Sequence, residues 1–519
     1  TMDKPDPDGS QHRFERADEG RKGRGHHART GDEDGKPEAE VHGPEENEPA
    51  EIDGADDELR GHASGKRGGD HHAVGEVVDA VADQDQHAAG AGCFAIVPVV
   101  VVVPVALVVV AVAQHPQIKL ITYAEVDHVD GYIGNFKVTI RQKPRYVDWD
   151  LCTGCGTCWE KCPSKKIKDE FDLDLGLRTA IHKVYPQAVP GKPYIDAANC
   201  TKLTSGKCGV CEKVCPTKAI RFEDQEELIT EEVGAIVMAT GYDLFAWEKA
   251  YGEYGYGKYP DVITSLHFER LVSAGGPTGG KIKRPSDGQE PKSVAFIKCV
   301  GSRDDTKGKS YCSRACCMYT AKHAYQVKDK IEDSEAYVFY MDVRTAGKNY
   351  EEFYQRSLNA GAKYIRGRVS KIYPRGDKLV LKTEDTLLGM PMEVEVDMVV
   401  LATAMVPSEG AQELAKTIGF STDKDGFFQE AHPKLQPVET FTAGVYVAGA
   451  CQGPKDIPDT VAQASAAAVK VCGLLSRTEL AIEPMTSEVN ADKCSGCALC
   501  VPICPYNAIS LVERQERGH

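Results

Sequence analysis

Sixteen of the nineteen cysteines in this chain fall into four tight groups, and two of those groups carry the strongest chemical signal. Cys152, Cys155, Cys158 and Cys162 form a C-x2-C-x2-C-x3-C run closed by Pro163, answered by Cys200, Cys208, Cys211 and Cys215 with Pro216. In such a run three close thiolates grip one [4Fe–4S] cube and the fourth ligates the other cluster. Carried across, that rule gives Cys215 to the cube of Cys152, Cys155 and Cys158, and Cys162 to the cube of Cys200, Cys208 and Cys211. Four thiolates at C-x2-C spacing also suit a structural zinc ion, but a zinc ribbon needs neither a third cysteine two residues on nor a Cys-Pro close. The segment reads as an electron-transfer module.

The spacing is that of bacterial ferredoxins, and it recurs in the tail as Cys494, Cys497, Cys500 and Cys504 followed by Pro505. No partner run follows before His519, so a cube on the first three thiolates lacks an evident fourth. Either Cys504 folds back, another chain supplies the ligand, or the site is incomplete. The fourth group is differently spaced. Val294 to Lys298 reads as a strand running into Cys299-Val-Gly-Ser-Arg303, with Cys312 and then Cys316-Cys317 at a helix start. A dinucleotide-binding domain places glycines at such a turn, against a pyrophosphate; here a thiolate stands there. The C-x12-C-x3-C-C pattern suits a third cluster or a set of buried and helix-end thiols, and spacing leaves both open. Cys93, Cys451 and Cys472 carry no spacing argument.

The elements that hold these groups begin late in the chain. Residues 1–114 contain no Tyr or Trp, and Leu59 and Leu107 are their only leucines. Up to about residue 90 too little apolar surface exists to offset chain entropy, which predicts disorder. The run 94–113 is apolar and long enough for a bilayer. It is nonetheless almost pure Val, holds Pro98 and Pro104 and lacks a basic flank, so a membrane helix is not expected and the whole segment reads as atypical, disordered or wrong-frame.

From His115 on, Ile118 to Val126 and Asn135 to Ile140 predict a strand pair split by Asp130-Gly131 and Gly134. Residues 163–199, with Pro186, Pro190, Gly191 and Pro193, read as a loop-rich insertion between the cysteine runs. Val233 to Gly241 predicts a buried strand of a parallel sheet ending in a small-residue turn. A second copy of that order follows, in Ala362 to Arg366, Lys378 to Lys382 and Val396 to Ala404, which suggests two related nucleotide-binding-type domains. No phosphate loop is assigned over 242–293, because no G-x-G-x-x-G follows a strand there. A last strand, Val445 to Val447, feeds Gly449 and a small-residue helix over 460–471, a bare backbone and helix start that suit a polarised ligand or simply tight packing.

A formal charge of −16 over 519 residues argues against a nucleic-acid footprint. The length suggests roughly three or four domains. Nineteen cysteines without a secretory start signal point to a reducing, cytoplasmic setting in which thiolates serve metals.

Taken together, the residues from His115 on resemble the A subunit of heterodisulfide reductase, the flavin and iron–sulfur protein of anaerobic archaea and bacteria. The resemblance rests on Gly131-Tyr-Ile-Gly-Asn-Phe136, the cysteine runs, Cys299-Val-Gly-Ser-Arg-Asp304, Tyr311-Cys-Ser-Arg-Ala-Cys-Cys317 and Gly453-Pro-Lys-Asp-Ile-Pro-Asp-Thr-Val-Ala-Gln463. It implies an α/β fold: a thioredoxin-reductase-like pair of nucleotide-binding-type domains with an inserted 2[4Fe–4S] ferredoxin domain and a truncated C-terminal ferredoxin segment. The expected boundaries are 115–145 with 223–290 and 401–480 for the FAD-type domain, and 291–400 for the second nucleotide-type domain. The ferredoxin domain takes 146–222 and the truncated segment 485–519. The resemblance also implies a cluster at Cys299, Cys312, Cys316 and Cys317, and FAD against Gly241, Gly449, Ala450, Lys455, Ile457 and Gln463. Lys455 is the candidate group beside the flavin ring, the bland alternative being a solvated loop lysine. Family members begin with a cysteine-bearing domain and a Gly-rich FAD fingerprint, neither of which residues 1–114 match.

The implied function is electron transfer, with bifurcation, from a hydrogenase or formate dehydrogenase through FAD and [4Fe–4S] clusters to subunits B and C and to ferredoxin. A flavin takes two electrons and each cube passes one. Two other readings stand beside it: an NAD(P)H-dependent flavin disulfide oxidoreductase, and an iron–sulfur relay or scaffold without flavin.

Overall fold

A computed structural model of the chain describes residues 115–246, 251–480, 487–490, 492–504 and 508–511. The segment 1–114, with its apolar run, lies outside the described residues, as do parts of the tail. No helix among the described residues is long and apolar enough to cross a membrane.

Strands β1 (Ala124–Tyr132) and β2 (Asn135–Gln142) form an antiparallel hairpin. Alternation on β2 buries Phe136, Val138 and Ile140 on one face, the period-two signature of a half-buried strand. The ladder starts six residues later than Ile118, and Asp130-Gly131 lies inside β1 rather than in the turn. Gly131 serves close approach instead: a Cβ there would sit 2.1 Å from the Asn135 carbonyl oxygen. The turn itself falls on Ile133-Gly134, where Gly134 has φ +85°.

The cysteine module follows, carried on three short helices, α1 (Thr157–Glu160), α2 (Thr201–Ser205) and α3 (Val210–Val214). The chain then returns as β3 (Glu227–Val233), which pairs antiparallel with β2. The module is thus an insertion between adjacent strands of one sheet. Next come β4 (Ile236–Met238) and β5 (Tyr242–Leu244).

The second domain is built on β6 (Val262–Thr264), α4 (Ser265–Val272), β7 (Ser293–Val300), α5 (Cys316–Lys330), β8 (Glu335–Tyr340), α6 (Tyr350–Asn359) and β9 (Lys363–Arg366). An antiparallel meander follows, β10 (Lys371–Arg375), β11 (Lys378–Asp385) and β12 (Met390–Val396), and then β13 (Met398–Thr403). The order β6-β13-β7-β8-β9 makes an all-parallel five-stranded sheet. Every residue of β7 and β13 is buried, as expected of central strands covered on both faces. Phe296 of β7 packs edge-on against Phe268 of α4, with centroids 5.5 Å apart. Truncating either ring to Ala is expected to cost about 3–5 kcal/mol.

Strand β14 (Met405–Pro407) pairs with β5, and α7 (Ala411–Ile418) packs beneath the β1 sheet. Strand β15 (Val445–Val447) pairs in parallel with β4 and leads into α8 (Ile457–Leu475); α9 (Cys500–Ile503) lies in the tail. The expected repetition is visible: three antiparallel strands and then a parallel strand, as β1-β2-β3 then β4, and as β10-β11-β12 then β13. Two placements differ from the sequence reading. Lys363–Arg366 joins the parallel sheet, and the partner of β11 is β10. Val262–Thr264 and the helix after it, read within 223–290, form the edge of the second domain's sheet, a strand too short to announce itself by pattern.

Candidate functional site

The module arranges its eight cysteines around two hollows. Cys152, Cys155, Cys158 and Cys215 line one, and Cys162, Cys200, Cys208 and Cys211 line the other. Each hollow therefore gathers three thiols from one run and one from the other. Local chemistry explains the wrapping. Gly154 and Gly156 hold left-handed backbone, and a Cβ on Gly156 would lie 2.9 Å from the Trp159 ring, so the loop can curl over its thiols only with glycine there. The Gly154 N–H donates to Cys152 Sγ at 3.4 Å and the Ala219 N–H to Cys215 Sγ at 3.3 Å. Such donors stabilise sulfur charge.

Burial and donors pull the thiols apart in acidity. Burial pushes Cys158 up to about 11 and Cys211 up to about 12. Cys155 is lowered by the Thr157 hydroxyl and backbone. Cys215 is lowered too, because the donors of Ala219, Thr217 and Lys218 outweigh its burial. Among the described residues, no three His, Cys, Asp or Glu side chains converge as a single metal ion would require.

The third group sits at the turn from β7 to α5. Strand β7 has β8 on one side and β13 on the other, so this is the point at which the strand order reverses and at which open α/β sheets place ligands. Cys299 lies there with φ +60°, a backbone usually left to glycine. Cys316 and Cys317 open α5, both buried and packed with Ala402 from the end of β13. Cys316 stands beside both Cys299 and Cys317, and these two sulfurs, with burial, raise it well above the usual thiol range. Cys317 is correspondingly lowered to about 5, by Cys316 and then by Lys298. Cys299 is lowered to about 7 by Cys316, against its burial. Cys312 lies on the connecting loop, where its sulfur accepts from the Arg314 N–H at 3.4 Å. The loop is held by Ser302 to Ser313 at 2.8 Å and by Arg303 to Asp342 at 2.6 Å.

Lys298 escaped the sequence reading. Its ammonium donates to the Asp342 carbonyl at 3.1 Å inside an otherwise apolar strand. A lone charge in the run Val-Ala-Phe-Ile-Lys was the available signal.

In the tail, Cys494, Cys497 and Cys500 are exposed, and Cys504 caps α9. The Ala508 N–H donates to Cys504 Sγ at 3.4 Å, the same i+4 bond that Ala219 makes to Cys215.

Of the residues expected against a flavin, Gly449, Lys455 and Gln463 are joined around the start of α8, whereas Ile457 is not among them. Strands β4 and β15 pair in parallel as far as Met238 and Val447, and the Cys451 thiol donates to Met238 O at 3.2 Å, so the Gly241 turn and Gly449–Ala450 follow neighbouring strand ends. Gly241 and Gly449 are both left-handed, at φ +75° and +82°. Lys455 is buried, not solvated: its ammonium donates to Gly449 O at 3.0 Å, Gln452 Oε1 at 2.7 Å and Gly453 O at 3.0 Å. Burial lowers its pKa. Gln463 Oε1 accepts from the Gly449 N–H at 2.8 Å, and Ile457 points to solvent at 79% exposure.

An inserted module with two four-thiol hollows, set in a pair of sheet-and-meander units whose second unit is an α/β domain with thiols at its switch point, has the make-up of an iron–sulfur protein. The family described as a 4Fe-4S binding domain matches residues 145–165 and 487–510. Over 411 residues the chain is 51% identical to the H(2):CoB-CoM heterodisulfide, ferredoxin reductase A subunit of Methanothermobacter thermautotrophicus, covering 79% of this chain and 60% of that protein. It is 49% identical to the CoB–CoM heterodisulfide reductase iron-sulfur A subunit of Methanocaldococcus jannaschii over 413 residues, 79% of this chain and 61% of the relative. The matched part of the chain is homologous to the A subunit of heterodisulfide reductase. The chain spans about 60% of the length of the relatives it matches. Among solved structures, T. acidophilum thioredoxin reductase aligns at 17% identity and a TM-score of 0.32, covering 48% of this chain and 68% of that one.

Proposed function

We propose that this chain is an iron–sulfur electron-transfer subunit of a heterodisulfide reductase-type complex, an oxidoreductase acting on a sulfur group. The observation that carries the reading is the sorting of eight thiols into two hollows, three from one run and one from the other in each. In this reading Cys152, Cys155, Cys158 and Cys215 hold one [4Fe–4S] cluster, and Cys162, Cys200, Cys208 and Cys211 hold a second. Cys299, Cys312, Cys316 and Cys317 hold a third, and Cys494, Cys497, Cys500 and Cys504 contribute to a fourth. A zinc ribbon needs neither the third cysteine two residues on nor the Cys-Pro close that both runs carry. Clusters in these sites supply one-electron steps. The chain's part is to supply thiolates, aim N–H donors at the sulfurs and exclude water with Trp159, Ile181 and Ile195.

FAD belongs to the proposal as the two-electron partner. The left-handed Gly241 and Gly449 and the buried, unpartnered Thr240 hydroxyl fit a closely approaching ligand. Gly241, Gly449 and Ala450 would border it, with Lys455 and Gln463 holding the loop from behind. Partners in this reading are subunits B and C, a hydrogenase or formate dehydrogenase that supplies electrons, and ferredoxin; bifurcation and a cytoplasmic setting belong to it as well. The nicotinamide-dependent reading is disfavoured, since a cysteine occupies the turn where its dinucleotide would lie.

Anaerobic purification with iron, acid-labile sulfide and flavin quantitation tests the reading. About eight iron atoms from the module alone, matched by sulfide, are expected. Tightly bound zinc without sulfide would overturn it.

A further inference from the structure

The insertion 163–199 does more than join two cysteine runs. Its inner end walls the second hollow: Ala180, Ile181 and Ile195 line that hollow beside the thiols. There the buried Arg178 pairs with Glu170 and, at 2.8 Å, with Asp196. Asp196 in turn caps the helical turn that leads into Cys200, accepting from the Ala198 N–H. Its outer end reaches the second domain. Arg270 of α4 donates to Asp172 Oδ1 at 2.9 Å and lies 4.5 Å over the Phe171 ring. Phe171 is itself stacked on Tyr185 at 4.5 Å. Next to this contact Leu173 and Asp174 both adopt left-handed backbone, at φ +54° and +66°. Two consecutive non-glycine residues in that region persist only where surroundings over-determine them.

The neighbouring residue on α4 faces elsewhere, since successive helical residues point about 100° apart. Glu269 grips α5, its carboxylate 2.6 Å from His323 Nε2 and 2.7 Å from Lys322 Nζ. Helix α5 begins with Cys316 and Cys317. One short helix therefore holds the outer end of the insertion that walls the second hollow with one residue, and the helix of the third thiol group with its neighbour.

We infer that Arg270 is a positioning residue: through Asp172 and Phe171 it fixes the second hollow relative to the Cys299–Cys317 group and thereby sets one-electron exchange between the two sites. The inference rests on the reading that both sites hold clusters. In the exchange one electron leaves a reduced cluster and enters an oxidised one; no bond forms or breaks and no proton moves.

The test uses the full chain, reconstituted anaerobically with iron and sulfide and reduced with dithionite. Iron and sulfide are counted first, and their absence in the unsubstituted protein overturns the cluster reading and with it this one. With clusters present, the readouts are the magnetic interaction between the two reduced sites and the rate of electron equilibration after partial reduction. Arg270→Ala is expected to keep its iron, weaken the magnetic interaction and slow equilibration about tenfold or more, as for steps sensitive to ångström-scale misplacement. Arg270→Lys is expected to restore part of it, recovering the ion pair but not the stacking on Phe171. Should Arg270→Ala lose iron or fail to fold, Asp172→Asn, equal in shape, decides. Unchanged interaction and equilibration in an iron-replete Asp172→Asn or Arg270→Ala protein overturns the inference.

Discussion

The sulfur of Cys316, the first residue of α5, stands close to that of Cys299, the penultimate residue of β7, and the two pull each other's acidity apart. The strand-to-helix turn from β7 to α5 thus closes on sulfur where related sheets close on glycine and phosphate.

A cation stands beside this turn. Lys298 lies beside Cys317 and helps Cys316 hold it at about 5. Lys298→Met is expected to raise the pH at which Cys317 becomes reactive. The pH profile of iodoacetamide labelling at Cys317 in the metal-free chain checks this, and an unmoved profile would assign the acidity to Cys316 alone.

The two hollows predict crossed losses. Cys215→Ala should remove the cluster of Cys152, Cys155 and Cys158, about four iron atoms, and spare the other. Cys162→Ala should spare the first and remove the one held by Cys200, Cys208 and Cys211. Iron counts with the EPR signals of each variant distinguish this from uncrossed ligation, in which the two phenotypes exchange.

Arg178 is buried between Glu170 and Asp196. Arg178→Met should leave Asp196 unpaired and destabilise the module by about 3 kcal/mol. A lower urea midpoint, followed through the fluorescence of Trp149 and Trp159, measures the loss; an unchanged midpoint counts against a structural role for the pair.

His182 gives the module an acid limit. Burial, and then Arg178, hold its folded pKa at about 4 against 6.5 for the free side chain. The folded state binds fewer protons than the unfolded between those values, so stability is fully present above the free value and falls as pH drops toward the folded one. From about pH 7 to about pH 5 the loss is about 2 kcal/mol. His182→Phe, which keeps a ring against Tyr194, should flatten that slope. Glu269, held near 2 by His323 and Lys322, gives up its contribution only below about 4.5. Melting temperatures of both proteins across the window decide the assignment.

What the sequence disclosed and what it withheld follow from range. Cysteine spacing within a dozen residues, and the apolar runs of β7 and β13, are local signals of thiolate chemistry and of a sheet covered on both faces. The strand Val262–Thr264 is three residues long and took its place only from Met398–Thr403, far along the chain. The Arg270–Asp172 pair is separated by 98 residues, so neither side chain carries a pattern that predicts the other. Lys455 reads as a loop lysine because its acceptors are backbone oxygens and one glutamine, groups that leave no mark in composition.

The pairing of β5 with β14 has a mechanical consequence. The two passages of the chain between the β1-sheet unit and the five-stranded sheet run side by side and share a ladder, Tyr242 against Pro407 and Leu244 against Met405. Separate tethers would let the units swivel independently about each. Joined, they act as one two-ply leaf spring, soft to bending across its face and stiff to shear within its plane. A hinge whose axis crosses the ribbon is the motion that keeps this ladder intact.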